Sequence, residues 1–325
     1  MKFGAFLNQY YYPDSGFGVE DIIEQAELMD ELGFDSATLG ERHIHEEGFV
    51  EPITGLAAIA ARTDLDIGTA AMLPALYDPL HLAEQVAMLD ELASGRMHFG
   101  AVIGYREREL SAFGVEMDER VERFIEAFRV LTELWNADDP VTHHGEYFDY
   151  DDVFISPQPS EMPIWIGGHA DIAIKRAAYR GDGWIASASS TPADLREQIA
   201  TYEAAIDEFD QRREDNDVIL MRDCFIAESE EAAREAVEPY LLNLYEWYER
   251  WGQTYLAEHD VGVDWETLSE KFIIGTPETA IEAFEMYDEM GVDHLLLRWQ
   301  FPGQPQAPTM DCIERLGETV LPEIQ

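Results

Sequence analysis

Lysine and cysteine are scarce in this chain, and long apolar runs are missing from it. Among its 325 residues there are three lysines and two cysteines, Cys224 and Cys312. Two isolated cysteines form neither a CxxC pair nor a disulfide framework, which favours a reducing compartment. No stretch approaches the ~20 apolar residues of a membrane helix, and the N-terminus lacks the pattern of a signal peptide. We therefore expect a cytoplasmic protein that does not interact with membranes.

Positive charge is also in short supply. Lys and Arg together number 21 against 67 Asp and Glu, which gives a net charge of −46 at pH 7. Such a chain repels nucleic acid and anionic membranes, so both are excluded as partners. The acidic residues are spread along the sequence rather than gathered in a tail. This distribution favours a halophilic protein, whose surface charge is screened in a salt-rich cytoplasm. A cationic partner is the alternative.

Motifs of several common enzyme classes are missing. No GxGxxG follows the first strand-like run, and neither GxxxxGK[ST] nor GxSxG occurs, which argues against dinucleotide-binding sheets, P-loop enzymes and α/β-hydrolases. The HxH pair formed by His43 and His45 is too small to indicate a metal site, and we expect no metal. Carboxylate pairs are uninformative because acidic residues occur throughout the chain.

What the sequence does contain is a repeated alternation of strand and helix. Hydrophobic residues make up 46% of the chain, enough for a sizeable core. Helical stripes separate eight strand-like runs, which cover residues 2–8, 34–39, 65–73, 97–103, 163–167, 184–187, 218–227 and 294–299. Eight units without a break in composition predict one α/β domain over residues 1–325, a (β/α)₈ barrel. A doubly wound sheet is the alternative.

Three segments are longer than this repeat needs, and the fold prediction places insertions after strands four and seven. Residues 104–118 follow the fourth strand, residues 141–159 alternate and turn like a β-hairpin, and residues 238–271 are rich in aromatic side chains. Insertions at the C-terminal ends of barrel strands build active sites. The aromatic segment is therefore either a lid over an apolar substrate or a stabilising helical cap.

Six segments in chain order resemble the luciferase-like, flavin-dependent monooxygenase family, and together they cover nearly the whole chain. They are FGAFLNQ (3–9), GFDSATLGERHIHEEGF (33–49), the stretch from LDIGTAAMLP to YRERELSAFGV (65–115), PIWIGGHADIAIKRAAYRGDGW (163–184), GTPETAIEAF (275–284) and LLLRWQFPG (295–303). The resemblance implies a (β/α)₈ barrel that binds reduced FMN, or coenzyme F420 in one branch, at the C-terminal ends of its strands.

The function that this resemblance implies is a monooxygenase that uses reduced FMN and O₂ on a small apolar organic substrate. The chain shows no second domain for NAD(P)H, so we expect a separate flavin reductase as a transient partner. An F420-dependent dehydrogenase or reductase is the alternative on the same barrel, and the scarcity of lysine favours FMN over the anionic tail of F420. A non-catalytic flavin-binding protein is the alternative of another class. The resemblance also implies a homodimer, formed through helices that include residues 52–61 (PITGLAAIAA).

The resemblance assigns the cofactor to four strand ends. Thr69, Ala70 and Ala71 end the third strand, where relatives often carry a cis peptide bond, here between the two alanines. Tyr105 and Arg106 open the loop after the fourth strand, although luciferase has its phosphate-binding arginine at the position of Ile103. Arg106 either substitutes for that arginine or binds a carboxylate of the loop, and Tyr105 is expected to lie over the flavin. The glycine-rich turn after the fifth strand can bring its backbone close to a phosphate or be an ordinary turn; it contains Gly167, Gly168, His169 and Ala170. Trp184 either packs beside the cofactor ring or fills the barrel.

The candidate catalytic residues follow the second strand, in the sequence GERHIHEEG. They are Glu41, Arg42 and His43. Luciferase has its catalytic histidine where this chain has Arg42, which argues against light emission with an aldehyde. His43 fits acid–base chemistry, and we expect no such role for His45. A structural pair of Glu41 with an arginine, or a solvated loop, are the alternatives. Arg298, near the end of the last strand, is expected to have a ligand or a carboxylate as its partner.

Overall fold

Eight parallel strands close into a barrel in the computed structural model, which describes residues 1–11, 17–45, 48–258 and 262–324. Its strands are β1 (Lys2–Phe6), β2 (Ser36–Leu39), β3 (Asp66–Thr69), β4 (Met97–Ala101), β5 (Val141–His144), β6 (Asp149–Val153), β7 (Ile164–Gly167), β8 (Gly183–Ala186), β9 (Asp217–Ile226), β10 (Ile273–Gly275) and β11 (His294–Arg298). The order around the barrel is β9-β11-β1-β2-β3-β4-β7-β8, and β8 pairs back to β9. The predicted (β/α)₈ barrel is thus confirmed, and each of the eight predicted strands forms one strand of the barrel.

Helices alternate with the barrel strands. They are α1 (Val19–Leu32), α2 (Pro52–Ala60), α3 (Pro79–Leu92), α4 (Glu107–Ala112), α5 (Arg120–Asn136), α6 (Asp171–Arg180), α7 (Pro192–Glu208), α8 (Glu230–Arg250), α9 (Thr254–Glu258), α10 (Trp265–Leu268), α11 (Pro277–Glu289), α12 (Gln306–Arg315) and α13 (Leu321–Ile324). None of the helices in the described part of the chain combines the length and the apolarity needed to cross a membrane.

Local sequence signals set where these helices begin. Proline occupies the first helical position of α2, α3, α7 and α11, where its missing N–H costs no hydrogen bond. The Asp78 side chain accepts from the first-turn N–H groups of α3, and Thr191 forms a capping box with Asp194 at α7. These caps satisfy donors that a helix start otherwise leaves unpaired, so the strand-to-helix loops that carry the site end at fixed points.

Two of the three insertions, residues 104–118 and 238–271, lie at the mouth of the barrel. Strands β5 and β6 form the antiparallel hairpin predicted within residues 141–159, and α4 lies in the long connection after β4. The aromatic segment is largely one long helix, α8, which begins at Glu230, before the predicted boundary at residue 238. It packs over the barrel mouth, because the Trp247 ring lies 5.4 Å from that of Tyr10, which follows β1.

The barrel interior is filled by side chains. Trp165, Ile219 and Leu296 form a buried layer, and the His98 ring stacks on Trp165 at 4.5 Å below it. His294 Nε2 lies 2.8 Å from the hydroxyl of Ser36. A barrel packed in this way offers no internal pore, so ligands are confined to the loops at its ends.

Candidate functional site

A cavity of about 620 Å³ opens at the C-terminal ends of the barrel strands. The loops after β1, β2, β3, β4 and β7, the end of β11, and α8 all contribute to its wall. Most of the residues singled out from the sequence line it: Glu41, Arg42, Ala70, Ala71, Tyr105, Arg106, Gly167, Gly168, His169 and Ala170. Three others, His43, Thr69 and Trp184, lie behind the wall.

Thr69 and Trp184 support the wall from behind. The Thr69 hydroxyl donates to the carbonyl of Gly100 at 2.8 Å and accepts from its N–H at 2.8 Å, which fastens β3 to β4. The fully buried indole of Trp184 donates from Nε1 to the Gly168 carbonyl at 2.7 Å. Trp184 therefore holds the glycine turn in place rather than facing a ligand in the cavity.

The third strand ends in a cis peptide bond between Ala70 and Ala71, as the resemblance implied. The Ala70 N–H donates to the Leu39 carbonyl at 2.8 Å, and the Ala71 carbonyl accepts from the Glu41 N–H at 3.2 Å. Both alanines line the cavity. The end of β3 thus presents backbone and methyl groups, a surface suited to the flat face of a ring.

The glycine turn after β7, residues 167–170, presents free backbone donors at the start of α6. Gly168 has φ +153°, and a Cβ there would meet the Ala173 Cβ at 2.5 Å. Within the described part of the chain, the N–H groups of His169 and Ala170 donate no hydrogen bond. Free donors at a helix start favour an anion. The turn therefore fits a phosphate group.

Arg176, which sequence reasoning missed, adds a cation beside this turn. It lies on the second turn of α6 and lines the cavity. Burial and the neighbouring Arg180 lower its pKa, as expected for a partly desolvated cation beside another cation. The His169 ring, by contrast, is already engaged, because its Nε2 lies 2.8 Å from the Glu258 carboxylate. The helical spacing after the Gly-Gly pair could have predicted Arg176, because residues 172, 173 and 176 lie on one face of α6 and all line the cavity.

The Glu41 carboxylate accepts hydrogen bonds from three surrounding groups. Its side chain is fully buried and accepts from His43 Nε2 at 2.5 Å, the Tyr77 hydroxyl at 2.9 Å and the Leu73 N–H at 2.6 Å. Burial alone would lower the pKa of His43, but its hydrogen bond with Glu41 and the charge of that carboxylate raise it. The partner of Glu41 is therefore His43 and not the arginine of the structural pair expected from the sequence. Glu41 therefore separates His43 from the cavity.

The loop after β4 is tied to the loop after β2. The Arg106 guanidinium donates from Nη1 to the His43 carbonyl at 3.0 Å and to Glu109 Oε1 at 3.2 Å. Glu109 Oε1 also accepts from the His43 N–H at 2.5 Å. The Arg106 guanidinium stacks over Trp251, with 4.6 Å between its central carbon and the ring centroid. Arg106 is therefore already neutralised by Glu109, and it positions the loop that carries His43.

Arg298 has the carboxylate partner that the sequence predicts. Its Nε donates to Asp223 Oδ1 at 2.6 Å, and its Nη1 donates to the Tyr248 hydroxyl at 2.7 Å. Tyr245 donates to the other oxygen of Asp223 at 2.9 Å. Tyr248 and Tyr10, both in the cavity wall, were not singled out from the sequence, because isolated tyrosines carry no recognisable spacing.

His45 belongs to a different, smaller pocket. That pocket, of about 240 Å³, is also lined by Arg106, Trp247, Arg250 and Trp251. Burial and the charges of nearby arginines lower the pKa of His45 to about 4. The ring is therefore neutral near pH 7 and does not face the main cavity.

Comparison with known proteins agrees with the geometry of the site. Over residues 1–294 the chain matches the family model described as luciferase-like monooxygenase. An F420-dependent glucose-6-phosphate dehydrogenase from Microbacterium testaceum is 26% identical over 340 residues, covering 100% of this chain and 98% of the relative. Limonene 1,2-monooxygenase from Rhodococcus erythropolis is 28% identical, covering 89% of this chain and 77% of the relative.

Solved structures give the same result. A monooxygenase from Streptomyces bottropensis superimposes with a TM-score of 0.85 at 25% identity, covering 100% of both chains. An F420-dependent secondary alcohol dehydrogenase superimposes with a TM-score of 0.83 at 22% identity, covering 100% of this chain and 99% of the other. The similar proteins are oxidoreductases of two kinds, monooxygenases and F420-dependent dehydrogenases. With its matched sequence, closed barrel and open cavity at the strand ends, the chain belongs to the luciferase-like monooxygenase family.

Proposed function

We propose that this protein is a flavin-dependent monooxygenase that uses reduced FMN and O₂ on a small organic substrate, with the flavin reduced by a separate enzyme. One observation favours a monooxygenase over a dehydrogenase. Among the described residues that line the cavity, the three carboxylates are already engaged, Glu41 by His43, Glu109 by Arg106 and Glu258 by His169. The same pairs occupy one ring nitrogen of His43 and of His169, and histidine is the side chain that most often acts as a base. A dehydrogenase acting on an alcohol needs a base that reaches the hydroxyl proton, whereas a monooxygenase depends mainly on positioning and on exclusion of water.

The residues present fit a phosphate-bearing flavin. The 167–170 turn and Arg176 would hold the phosphate, while Ala70, Ala71 and Tyr105 would flank the ring. When bound, the reduced flavin supplies the electrons that activate O₂. The chain itself contributes apolar walls that exclude water. It also contributes the coupled pair of Glu41 and His43, which can hold a proton behind the wall.

The first experiment is a binding measurement with both cofactors. We expect the purified protein to bind FMN more tightly than F420, as judged by absorption and fluorescence titration. We also expect an oxygenated product only when the protein, a flavin reductase, NADH and a substrate are all present, because free reduced FMN consumes O₂ without the protein. Tight binding of F420, with its reduction by an alcohol in the absence of O₂, would instead establish the dehydrogenase alternative.

Replacement of Gly168 by Val tests the phosphate assignment. We expect the affinity for FMN to fall by about 10²-fold, because a β-branched residue is disfavoured at this φ and blocks close approach to the backbone. Riboflavin, which lacks the phosphate, should lose much less. Fluorescence titration of each flavin gives the two affinities, and equal losses would show that the turn does not hold the phosphate.

A matched pair of arginines on α6 supports the same test without altering the backbone. Arg176→Gln should weaken FMN but not riboflavin, since it removes a cation from the cavity wall. Arg180→Gln, on the same helix but exposed, should change neither affinity. If the two variants behave alike, the effect of Arg176 is not local.

We also propose a homodimer formed through α2 and α3. These helices border an apolar groove of about 440 Å³, in which Met88 and Leu92 are 54% and 47% exposed. Ile53 and Ala57 on α2 line its other side. A second copy placed across a two-fold axis would bury the same groove on both chains.

Met88→Glu combined with Leu92→Glu is therefore expected to convert the dimer to a monomer, because it places charges in an apolar interface. Light scattering should then report the 37.0 kDa of one chain. Phe154→Glu, which alters an apolar residue on the β5–β6 hairpin that is 49% exposed, should leave the dimer intact. A wild-type protein that scatters as one chain at micromolar concentration contradicts the proposal.

A further inference from the structure

Among the described residues of the cavity wall, three buried guanidinium nitrogens have no hydrogen-bond acceptor: Nε of Arg120, Nη1 of Arg42 and Nη2 of Arg298. Arg42 and Arg298 lie on the same side of the barrel, because Arg42 follows β2, Arg298 ends β11, and β1 alone separates these strands. The Arg298 residue is only 3% exposed. A buried charged donor is costly when it is left unpaired, and both atoms belong to side chains that border the same cavity. An acceptor supplied by a ligand would satisfy both donors.

Within the described part of the chain, the charge of Arg42 is also uncompensated. Arg298 is neutralised by Asp223, but among the described residues no carboxylate forms an ion pair with Arg42. Arg42 instead stacks over Trp251, with 4.5 Å between its guanidinium carbon and the ring centroid, and the Tyr105 side chain acts on it electrostatically. In a chain with a net charge of −46, an arginine facing a cavity without an acidic partner is well suited to a ligand anion.

The two arginines surround one spot. The guanidinium carbons of Arg42 and Arg298 each lie 5.7 Å from the centroid of the Tyr248 ring, so they are at most twice that distance apart. Both also act electrostatically on the Tyr10 hydroxyl, which faces the same wall. The two guanidinium groups therefore share Tyr248 as a neighbour in the cavity wall.

This spot lies across the barrel from the proposed phosphate site. Arg298 ends β11, Tyr10 follows β1 and Arg42 follows β2, and these three strands are neighbours in the barrel. The 167–170 turn follows β7, which is four strands away from β1 in a ring of eight. The anion bound by Arg42 and Arg298 is therefore a different group from the cofactor phosphate.

We propose that Arg42 and Arg298 bind a carboxylate of the substrate, so that the substrate class is an organic acid with an apolar body. This inference rests on the proposed function only in taking the second ligand of the cavity to be the substrate. The planar fork of a guanidinium matches the two oxygens of a carboxylate. Phe6, Phe49 and Leu244 supply apolar wall in the same cavity, which suits the body of the acid. This proposal revises the small apolar substrate expected from the sequence to one that also carries a carboxylate.

The test uses benzoate and its neutral isostere benzamide as probes, at one fixed KCl concentration. Isothermal titration calorimetry measures binding to the protein with and without FMN. We expect benzoate to bind at least about tenfold more tightly than benzamide, and Arg42→Gln to abolish this preference. In Arg176→Gln, which alters the proposed phosphate site, the preference should persist. Loss of the preference in Arg176→Gln but not in Arg42→Gln, or no preference in the wild type, overturns the proposal.

A second variant guards against misfolding. Arg298→Lys keeps the charge beside Asp223 but removes the unpaired Nη2, and should weaken benzoate several-fold without weakening benzamide. A thermal melt checks that each variant is folded. Because the probes are also titrated without cofactor, failure to bind FMN would refute the proposed function alone. Failure to prefer benzoate would refute the organic-acid inference alone.

Discussion

His43→Ala is expected to lower turnover by about 10²-fold or more, with the affinity for the cofactor unchanged, as removal of a group that manages a proton typically does. His43 lies behind Glu41, at 2.5 Å from its carboxylate. We expect it to act as a positioning residue, because its hydrogen bond helps to fix the orientation of the Glu41 carboxylate. Without it, that carboxylate keeps only the Tyr77 hydroxyl and the Leu73 N–H among these donors. Product formation from an organic acid found in the binding experiments is the measurement.

The pH profile distinguishes this role from simple packing. The pKa of His43 is raised in the folded protein, so the ion pair with Glu41 is complete below the ordinary histidine pKa of about 6.5 and is lost as pH rises through the raised value. Wild-type turnover should fall over that range, and His43→Ala should lose this dependence. Thermal melts should show the same sign, with the stability difference between wild type and variant largest at low pH.

His45→Ala is the matched control. His45 follows two residues later, but it lines the smaller pocket, and its pKa is lowered to about 4. It carries no charge to lose near pH 7, so turnover and its pH profile should be unchanged. Full turnover and full flavin affinity in His43→Ala would show instead that His43 is structural.

The contrast between His43 and His45 shows where prediction from sequence ends. Strand–helix periodicity located all eight barrel strands, because each strand is an apolar run buried in the core. It also placed the second-strand loop at the mouth of the barrel. Which side chain of that loop faces the cavity depends on its backbone path, and a spacing of two residues does not determine that path.

The ion pair of Arg298 shows the same limit of prediction from sequence. The sequence predicts that a charge on the last strand needs a partner, but it does not say which of many acidic residues supplies it. The partner is Asp223, which lies directly opposite Arg298 in the parallel register of β11 and β9. That register is set by closure of the whole barrel, so the pair is visible only in the fold.

The glycine turn was recognised from the sequence because its backbone, rather than a side chain, forms the predicted contact with a ligand. A Gly-Gly pair between an apolar run and a helical stripe predicts a close approach of backbone at a helix start. Arg176 and Tyr10 complete the cavity from positions that share no local pattern. The resemblance therefore located the glycine turn in the cavity wall, but it did not locate Arg176 or Tyr10.

Transfer from about 2 M to about 0.1 M KCl is expected to lower the melting temperature by more than ~10 °C, because the screening length rises from a few Å to about 10 Å. With a net charge of −46, the folded state then suffers repulsion that the expanded unfolded chain relieves. Circular dichroism melts at several KCl concentrations measure the effect. Sucrose, which favours compact states without screening charge, should not replace the salt.

A variant with fewer acidic residues tests whether the surface charge causes the dependence of the melting temperature on KCl. Glu235, Glu282 and Glu285 are exposed on α8 and α11 and form no ion pair within the described residues. Changing all three to Gln keeps shape while removing repulsion, so the KCl concentration that supports folding should fall. Changing Glu208 to Gln removes an acidic residue that pairs with Lys175 at 3.2 Å, and should give less benefit per charge. A melting temperature that is the same in molar KCl and in dilute buffer would show that the acidic surface is not an adaptation to salt.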